Sequence, residues 1–461
     1  MQALRAIVGL TWKAAFRFRL FLVLAVLLVA SVVALPILLK DDGTARGFTQ
    51  ILITYTLTTI TSLLGLSTLW LACGTLARDI EECQVQMLAV KPVARWQIWV
   101  GKWLGIVSLN AVLLVLSGGC VYALLQWRAT HLPPAEQAVL RNEVLVARGS
   151  AKDSNPDREI QEETDRRLQE RLEKSPVTHA DLPEVRKQIL EQVKADYQLV
   201  PPNTYRLWQI ALGRSAHSLG DQPLYLRIKF NSADKSQSGT FDGLWQVGVP
   251  QKTRLWRSNL MSLSPDTFHE IEIPANLCDD KGVLTVVFIN PNNTALLFPL
   301  EDGFEVLYRE SGFGLNFIRG LGIILCWMAL LAALGLAAAS FLSFPVAAFM
   351  SLCLLGIALC SGTLSNAVSE GTLVGWDAAK GTYAHSTIDF VAIPAFRGLL
   401  KLISLAKDFS PIDSLSTGRS ITWGQLGLAC GQIVLLLGGL LSLFGIFTFG
   451  RRELATAQGT Q

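Results

Sequence analysis

Five histidines and eight cysteines in 461 residues are where catalysis or metal binding would first show, and neither set has the spacing for it. His131, His179, His217, His269 and His385 are scattered, and His269-Glu270 lacks the second histidine that would put two zinc ligands on one helix face. Cys73, Cys120, Cys326, Cys353, Cys360 and Cys430 fall in apolar runs or at their ends, and Cys83 lies between two such runs. Only Cys278 lies in the large polar stretch of the chain, so no disulfide can form within it. The sequence G-x-x-x-x-G-K-[ST] is absent. Gly101-Lys102 has neither the first glycine nor the hydroxyl residue of a phosphate-cradling loop, so the chain is not expected to hold ATP itself. The apolar runs carry no Asp, Glu or His in their interiors, which argues against both an intramembrane enzyme and an ion-coupled transporter. No catalytic group, metal or cofactor is expected. The chemistry left to the charged residues is contact with a partner.

Those residues concentrate between Ala77 and Gly105. Asp79, Glu81 and Glu82 come first, then a short amphipathic turn (Val85, Met87, Leu88), then Lys91-Pro92, Arg95 and Gly101-Lys102. Before this segment Phe48–Leu76 is uncharged, and after it Ile106–Trp127 is uncharged again. Each run exceeds the roughly 20 residues that cross a bilayer core, so the segment reads as an elbow between two spans. Lys and Arg collect at span ends on the cytoplasmic side in any case, and a proline can open a helix with no partner at all. Composition agrees with a membrane chain: 51% hydrophobic, 17% charged and mean hydropathy +0.38 lie outside the soluble range. A net charge of +3, with no basic stripe interleaved with aromatics, does not suit nucleic acid.

The order of the elbow resembles the cytoplasmic coupling loop in permease subunits of ABC-2-type ABC transporters. Lys91, Pro92, Val93 and Arg95 match its K-P-V-x-R centre, and Gly101, Lys102 and Gly105 its G-K-x-x-G entry into the next span. Arg451-Arg452-Glu453-Leu454 is similar to the R-R-D/E-L end of these permeases. The resemblance implies that the elbow touches separate ATPase subunits through Asp79, Glu81, Glu82, Lys91, Pro92, Arg95 and Lys102, and that a second permease, identical or not, completes the transporter. It covers the spans and the elbow, and leaves Arg128 to Gly312 unexplained.

The fold expected from the whole chain is an α-helical membrane protein with six transmembrane helices and an inserted extracytoplasmic α+β domain. Residues 1–127 would hold an N-terminal interfacial helix and three spans (Leu20–Leu39, Phe48–Leu76, Ile106–Trp127), with the coupling loop at 77–105. In residues 1–19, Arg5, Lys13, Arg17 and Arg19 gather opposite Leu4, Ile7, Val8, Ala15 and Phe18, which places the N-terminus on the cytoplasmic membrane surface. Span two is rich in threonine, whose hydroxyls can serve neighbouring helices or their own. Residues 128–312 would form the inserted domain. Its helical hairpin, 135–200, is laced by Glu162/Arg166 and Glu163/Arg167. Its β-sandwich, 220–310, has strands at Leu224–Phe230, Leu244–Val249, Phe268–Ile273, Val283–Ile289 and Phe304–Tyr308. Trp208, Trp245 and Trp256 could form a sugar platform, but tryptophans in small sandwiches more often belong to the core. Asn292-Asn293-Thr294 is a glycosylation sequon by pattern only, and nothing else points away from a bacterial cell membrane.

Residues 313–461 would hold spans four to six (Phe317–Phe341, Val346–Leu364, Trp423–Phe449), with an outer interfacial or re-entrant segment at 366–422. Lys380, Arg397, Lys401, Lys407 and Arg419 in that segment run against the positive-inside bias, but no further uncharged run is left to move it inside. With the resemblance above, the function expected is the permease subunit of an ATP-driven exporter in the membrane, with both termini cytoplasmic. The alternative is a membrane-anchored scaffold or sensor whose ectodomain binds a cell-envelope partner without transport.

Overall fold

The computed structural model describes residues 2–17, 20–38, 44–82, 93–153, 156–174, 182–213, 219, 222–232, 238–370, 376–377, 382–383 and 389–452. Its helices begin with α1 (Gln2–Arg17), α2 (Leu20–Leu38), α3 (Ala45–Glu81), α4 (Arg95–His131) and the short α5 (Pro134–Val139). A pair, α6 (Pro156–Lys174) and α7 (Leu182–Gln198), lies among strands. Then follow α8 (Phe313–Ala339), α9 (Phe344–Leu359), α10 (Ser361–Glu370), α11 (Asp389–Lys407), α12 (Pro411–Ser416) and α13 (Trp423–Arg451). Two compact units result: Met1–Val146 with Gly312–Gln461, and Ala147–Ser311.

Among the described residues of the helical unit, four helices are long and apolar enough to cross a membrane: Arg46–Glu81, Arg95–His131, Phe313–Ala339 and Trp423–Arg451. Two apolar helices, Leu22–Leu35 and Phe344–Leu359, are shorter. The run expected as span five is divided at Cys360, where α9 gives way to α10 beside Ser361-Gly362. α3 and α4 hold 37 residues each, about 55 Å of helix against about 30 Å of bilayer core. The elbow is accordingly helical at both flanks: Ala77–Glu81 is the last turn of α3, and Arg95–Gly105 opens α4. Its centre, residues 83–92 with Lys91 and Pro92, lies outside the described residues.

α8 is the central helix, and small residues let its neighbours approach. A Cβ on Gly335 would come within 2.7 Å of Ala72 in α3, one on Gly118 of α4 within 2.6 Å of Leu321, and one on Gly322 within 3.0 Å of Leu426 in α13. These pairs fix directions. α3, α8 and α13 run toward the elbow and α4 runs away from it, so the unit has an elbow end and a far end. Leu57, Leu64, Leu113, Ile324 and Ile433 fill the core at the far end, and Ala72, Trp99, Ala332, Ala333 and Phe449 the one at the elbow end.

α1 is an amphipathic helix, as expected, and packs along α4. The buried face of this amphipathic helix lies on protein: Ile7 sits over Gly101, Thr11 over Gly105, and Trp12 Nε1 donates to Ser108 Oγ at 2.8 Å. Successive contacts advance by about one turn on both helices, so α1 and α4 run side by side in the same direction. The physical reason is the groove left by Gly101 and Gly105, four residues apart on one face of α4. Thr54 and Thr56 of α3 bond to their own helix, to Gln50 O at 2.9 Å and Leu52 O at 2.7 Å, and Thr68 bonds both to Leu64 O and across to Met328 Sδ of α8, the latter at 3.8 Å. The segment expected outside at 366–422 is partly internal as well. α12 buries Leu415 against Gly320 of α8, and Trp327 Nε1 donates to Ala406 O of α11 at 3.2 Å.

The inserted unit is narrower than the expected 128–312. Leu140, Val144 and Leu145 belong to the far-end core of the helical unit, and Val146–Ala151 is already a strand. The helical hairpin therefore starts at α6 instead of residue 135, and closes α6 on α7 around Ile160, Ile189 and Val193. Arg167 bonds Glu163 at 2.9 Å as expected, whereas Glu162 takes Arg158 at 2.8 Å and Arg166 takes Glu163 at 2.7 Å. Two antiparallel sheets share one core. One runs Val146–Ala151, Phe304–Gly312, Leu224–Ile228, His269–Ile273 in spatial order; the other runs Tyr205–Ala211, Val283–Ile289, Phe241–Val247, Trp256–Arg257, with Met261–Leu263 also paired to Phe241–Val247, and a small third sheet joins Leu199–Val200, Leu296–Leu297 and Asn231–Ser232. Trp208 and Trp245 are buried in that core, so they form no sugar platform. On the other face of the first sheet the register sets Glu305 opposite Arg227 and Arg227 opposite Glu270. Arg148 reaches Glu270 with a two-pronged bond at 3.0 and 3.3 Å, which completes an alternating ladder of charge. Asn292 of the sequon clamps Asp242 through both its backbone N–H and its carbonyl, at 3.0 and 2.6 Å. Burial pushes the Cys278 thiol above its ordinary pKa, so it stays protonated.

Candidate functional site

The elbow end brings together most of the residues that sequence singled out, and it turns several of them inward. Asp79 lies in the last turn of α3, four residues after Thr75 on the same face. Lys102 lies two turns into α4 and is 6% exposed. Its ammonium donates to Asp79 Oδ2 and to Thr75 O, the latter at 2.7 Å. A buried lysine needs a partner of this kind, because its charge alone is costly to take out of water. The pair ties α3 to α4 just where both leave the apolar region.

Glu81 points to another helix. α9 begins with Pro345 in its first turn, and the Phe344 N–H finds its acceptor in Glu81 Oε1 at 3.0 Å. Helix starts leave backbone donors without intrahelical partners and favour negative charge, so a carboxylate from α3 suits this position. Arg78 reinforces the joint, with its guanidinium 4.7 Å from the centre of the Phe344 ring.

Arg95 does the reverse at a helix end. It is the first residue of α4, and its Nη1 donates to Phe449 O, Gly450 O and Arg452 O at 3.3, 2.7 and 3.0 Å. These are carbonyls at the C-terminus of α13, where unpaired acceptors and the negative end of the helix dipole attract a cation. Arg452 Nη1 then reaches Ser340 O at 3.3 Å, and Trp99 Nε1 donates to Ser340 Oγ at 3.2 Å. Ser340 follows the end of α8, so α4, α8 and α13 are joined at one residue.

Of the expected contact residues, Asp79, Glu81, Arg95 and Lys102 are thus engaged within the unit. Glu82 is exposed at the end of α3, and Lys91 and Pro92 fall outside the described residues. Trp99, Ser340 and Arg452 were not singled out from sequence as part of this joint. Gly445, where a Cβ would come within 2.9 Å of Trp99 Nε1, is the small residue that lets α13 approach there. Among the described residues no cluster of His, Cys, Asp and Glu could hold a metal ion. The arrangement ties the elbow's two flanks to other helices, to the start of α9 through Glu81 and to the end of α13 through Arg95. No family model, curated protein or solved structure matches the chain.

Proposed function

We propose that the chain is a six-span permease subunit of an ABC-2-type exporter, acting with a second permease and separate ATPase subunits. The six spans are α2, α3, α4, α8, α9 continued by α10, and α13. The elbow end faces the cytoplasm, and Ala147–Ser311 lies on the other side of the membrane. The observation that most supports this reading is the bonding of the elbow's two flanks to different helices, Glu81 to α9 and Arg95 to α13. In such a permease, closure of the ATPases pushes on residues 83–92, and the joint carries the push to several spans that move as rigid bodies. Glu82, exposed at the end of α3, takes the direct contact together with the segment after it, and Asp79 and Glu81 pass the push inward.

The test is co-purification of an ABC ATPase encoded beside this chain, and of its permease-dependent ATP hydrolysis, with wild type and Glu82→Lys at equal membrane insertion. Like charges across an interface cost several kcal/mol, so recruitment is expected to fall at least tenfold. Undiminished recruitment removes Glu82 from the contact. If wild type recruits no ATPase at all, the alternative of a membrane-anchored scaffold, carrying an ectodomain for an envelope partner, takes its place.

A further inference from the structure

Arg319 is the only charged residue of α8 and occupies its seventh position. It is 7% exposed. Its Nη1 donates to Ile421 O at 2.8 Å, and its guanidinium carbon lies 4.8 Å from the centre of the Trp423 ring. Its buried Nε has no hydrogen-bond partner among the described residues, and no described carboxylate forms an ion pair with it. Holding residues 419–421 in place does not require the charge. Asn316, one turn earlier, already donates to Arg419 O and accepts from Ile421 N, both at 2.7 Å. A buried charge in a membrane helix calls for a partner, and the described protein supplies none of opposite sign.

The surroundings say where the partner comes from. The Cα of Arg319 lies about 9 Å from the start of α8, and side chains on a helix lean toward its N-terminus, so the guanidinium reaches toward the far end. There Leu315, one turn before it, is 54% exposed, and Ile318 and Trp423 are exposed too. Trp423 is fixed by the capping box of Thr422 and Gln425 that opens α13. A tryptophan at a span end marks headgroup depth. Lipid phosphates lie at that same depth, and the exposed Leu315 and Ile318 beside the site give a lipid an acyl-chain contact that a free anion lacks.

We infer that Arg319, with Trp423 beside it, binds the phosphate of an anionic glycerophospholipid at the far end of the helical unit. The lipid phosphate supplies the missing negative charge and accepts from the guanidinium, and its acyl chains lie along Leu315 and Ile318.

The experiment is native mass spectrometry of the delipidated full chain, titrated with phosphatidylglycerol, phosphatidylcholine or inorganic phosphate, for wild type, Arg319→Lys and Arg319→Gln. Wild type is expected to take up one phosphatidylglycerol saturably, at least tenfold more tightly than phosphatidylcholine. The lysine variant keeps this preference, and the glutamine variant, which can still donate to Ile421 O, loses it. No saturable phosphatidylglycerol in wild type, or an undiminished preference in Arg319→Gln, overturns the inference. Equal occupancy by inorganic phosphate overturns the lipid as its source. Should Arg319→Gln fail to fold, Trp423→Leu at its exposed position is expected to weaken phosphatidylglycerol binding several-fold, and unchanged affinity there overturns the inference as well.

Discussion

Lys102 and Arg319 are both cations buried in long apolar helices, one at each end of the same unit, and the protein treats them differently. Lys102 finds a carboxylate in Asp79 and a carbonyl in Thr75, and is closed off. Arg319 finds a carbonyl and an aromatic ring and no acid. The elbow end is built as a joint, with Asp79, Glu81, Arg95 and Lys102 answered from within the unit. The far end leaves a charge for something outside the chain to answer. A buried charge therefore signals structure or binding according to what faces it, and residue type alone does not decide.

The largest effect should separate these two cations. Lys102→Met strands Asp79, whose side chain is 26% exposed in its pair, and should cost on the order of 2–4 kcal/mol, because removing one partner of a buried pair leaves the other uncompensated. Asp79→Leu with Lys102→Met should recover most of that loss, since the double change strands nothing. Arg319→Met in lipid-free detergent should cost about 1 kcal/mol or less, because the lost hydrogen bond is offset by the charge no longer being buried. Unfolding by heat or denaturant in detergent measures all four proteins. Equal losses for Lys102→Met and Arg319→Met would erase the distinction between the two ends.

How much of this could be read beforehand depended on whether the partner was near in sequence. The elbow was legible because charge returns abruptly after Leu76 and stops again after Lys102. That Asp79 would meet Lys102 was not, since the pairing depends on how α3 and α4 turn about their axes. Gly101 and Gly105 stood out as a motif, but their physical meaning, a groove for Ile7 and Thr11, requires knowing that α1 runs along α4. In the inserted unit, Tyr205–Ala211 alternates and could have been read as a strand, with Trp208 and Ile210 pointing inward. Val146–Ala151 could not, because Arg148 is buried through a bond to Glu270, 122 residues away. The domain edge was misplaced for a related reason. The apolar run ends near Arg128, but Leu140 and Val144 still pack with the spans.

A smaller effect would sharpen the idea of the elbow end as a joint. Arg95→Met removes the cation that answers the last carbonyls of α13. A charge at a helix C-terminus contributes about 0.3–1 kcal/mol, so global stability should fall only slightly, whereas amide exchange in the last turn of α13 should quicken several-fold. Acceleration confined to α4 would mean that Arg95 serves its own helix and that α13 ends without its help.

The smallest effect belongs to Glu81→Gln, and with Glu81→Ala beside it, it distinguishes a hydrogen bond from a charge. The Phe344 N–H needs an acceptor, which an amide oxygen supplies as well as a carboxylate, while the favourable interaction with the positive end of α9 needs the negative charge. Glu81→Gln should therefore keep the start of α9 protected from amide exchange and cost a few tenths of a kcal/mol. Glu81→Ala removes the acceptor and should cost about 1 kcal/mol, with faster exchange in the first turn of α9. If Glu81→Ala leaves exchange in α9 unchanged, the bond at 3.0 Å does not hold the helix start. The proposed coupling of the elbow to α9 would then have to pass through Arg78 and the ring of Phe344 instead.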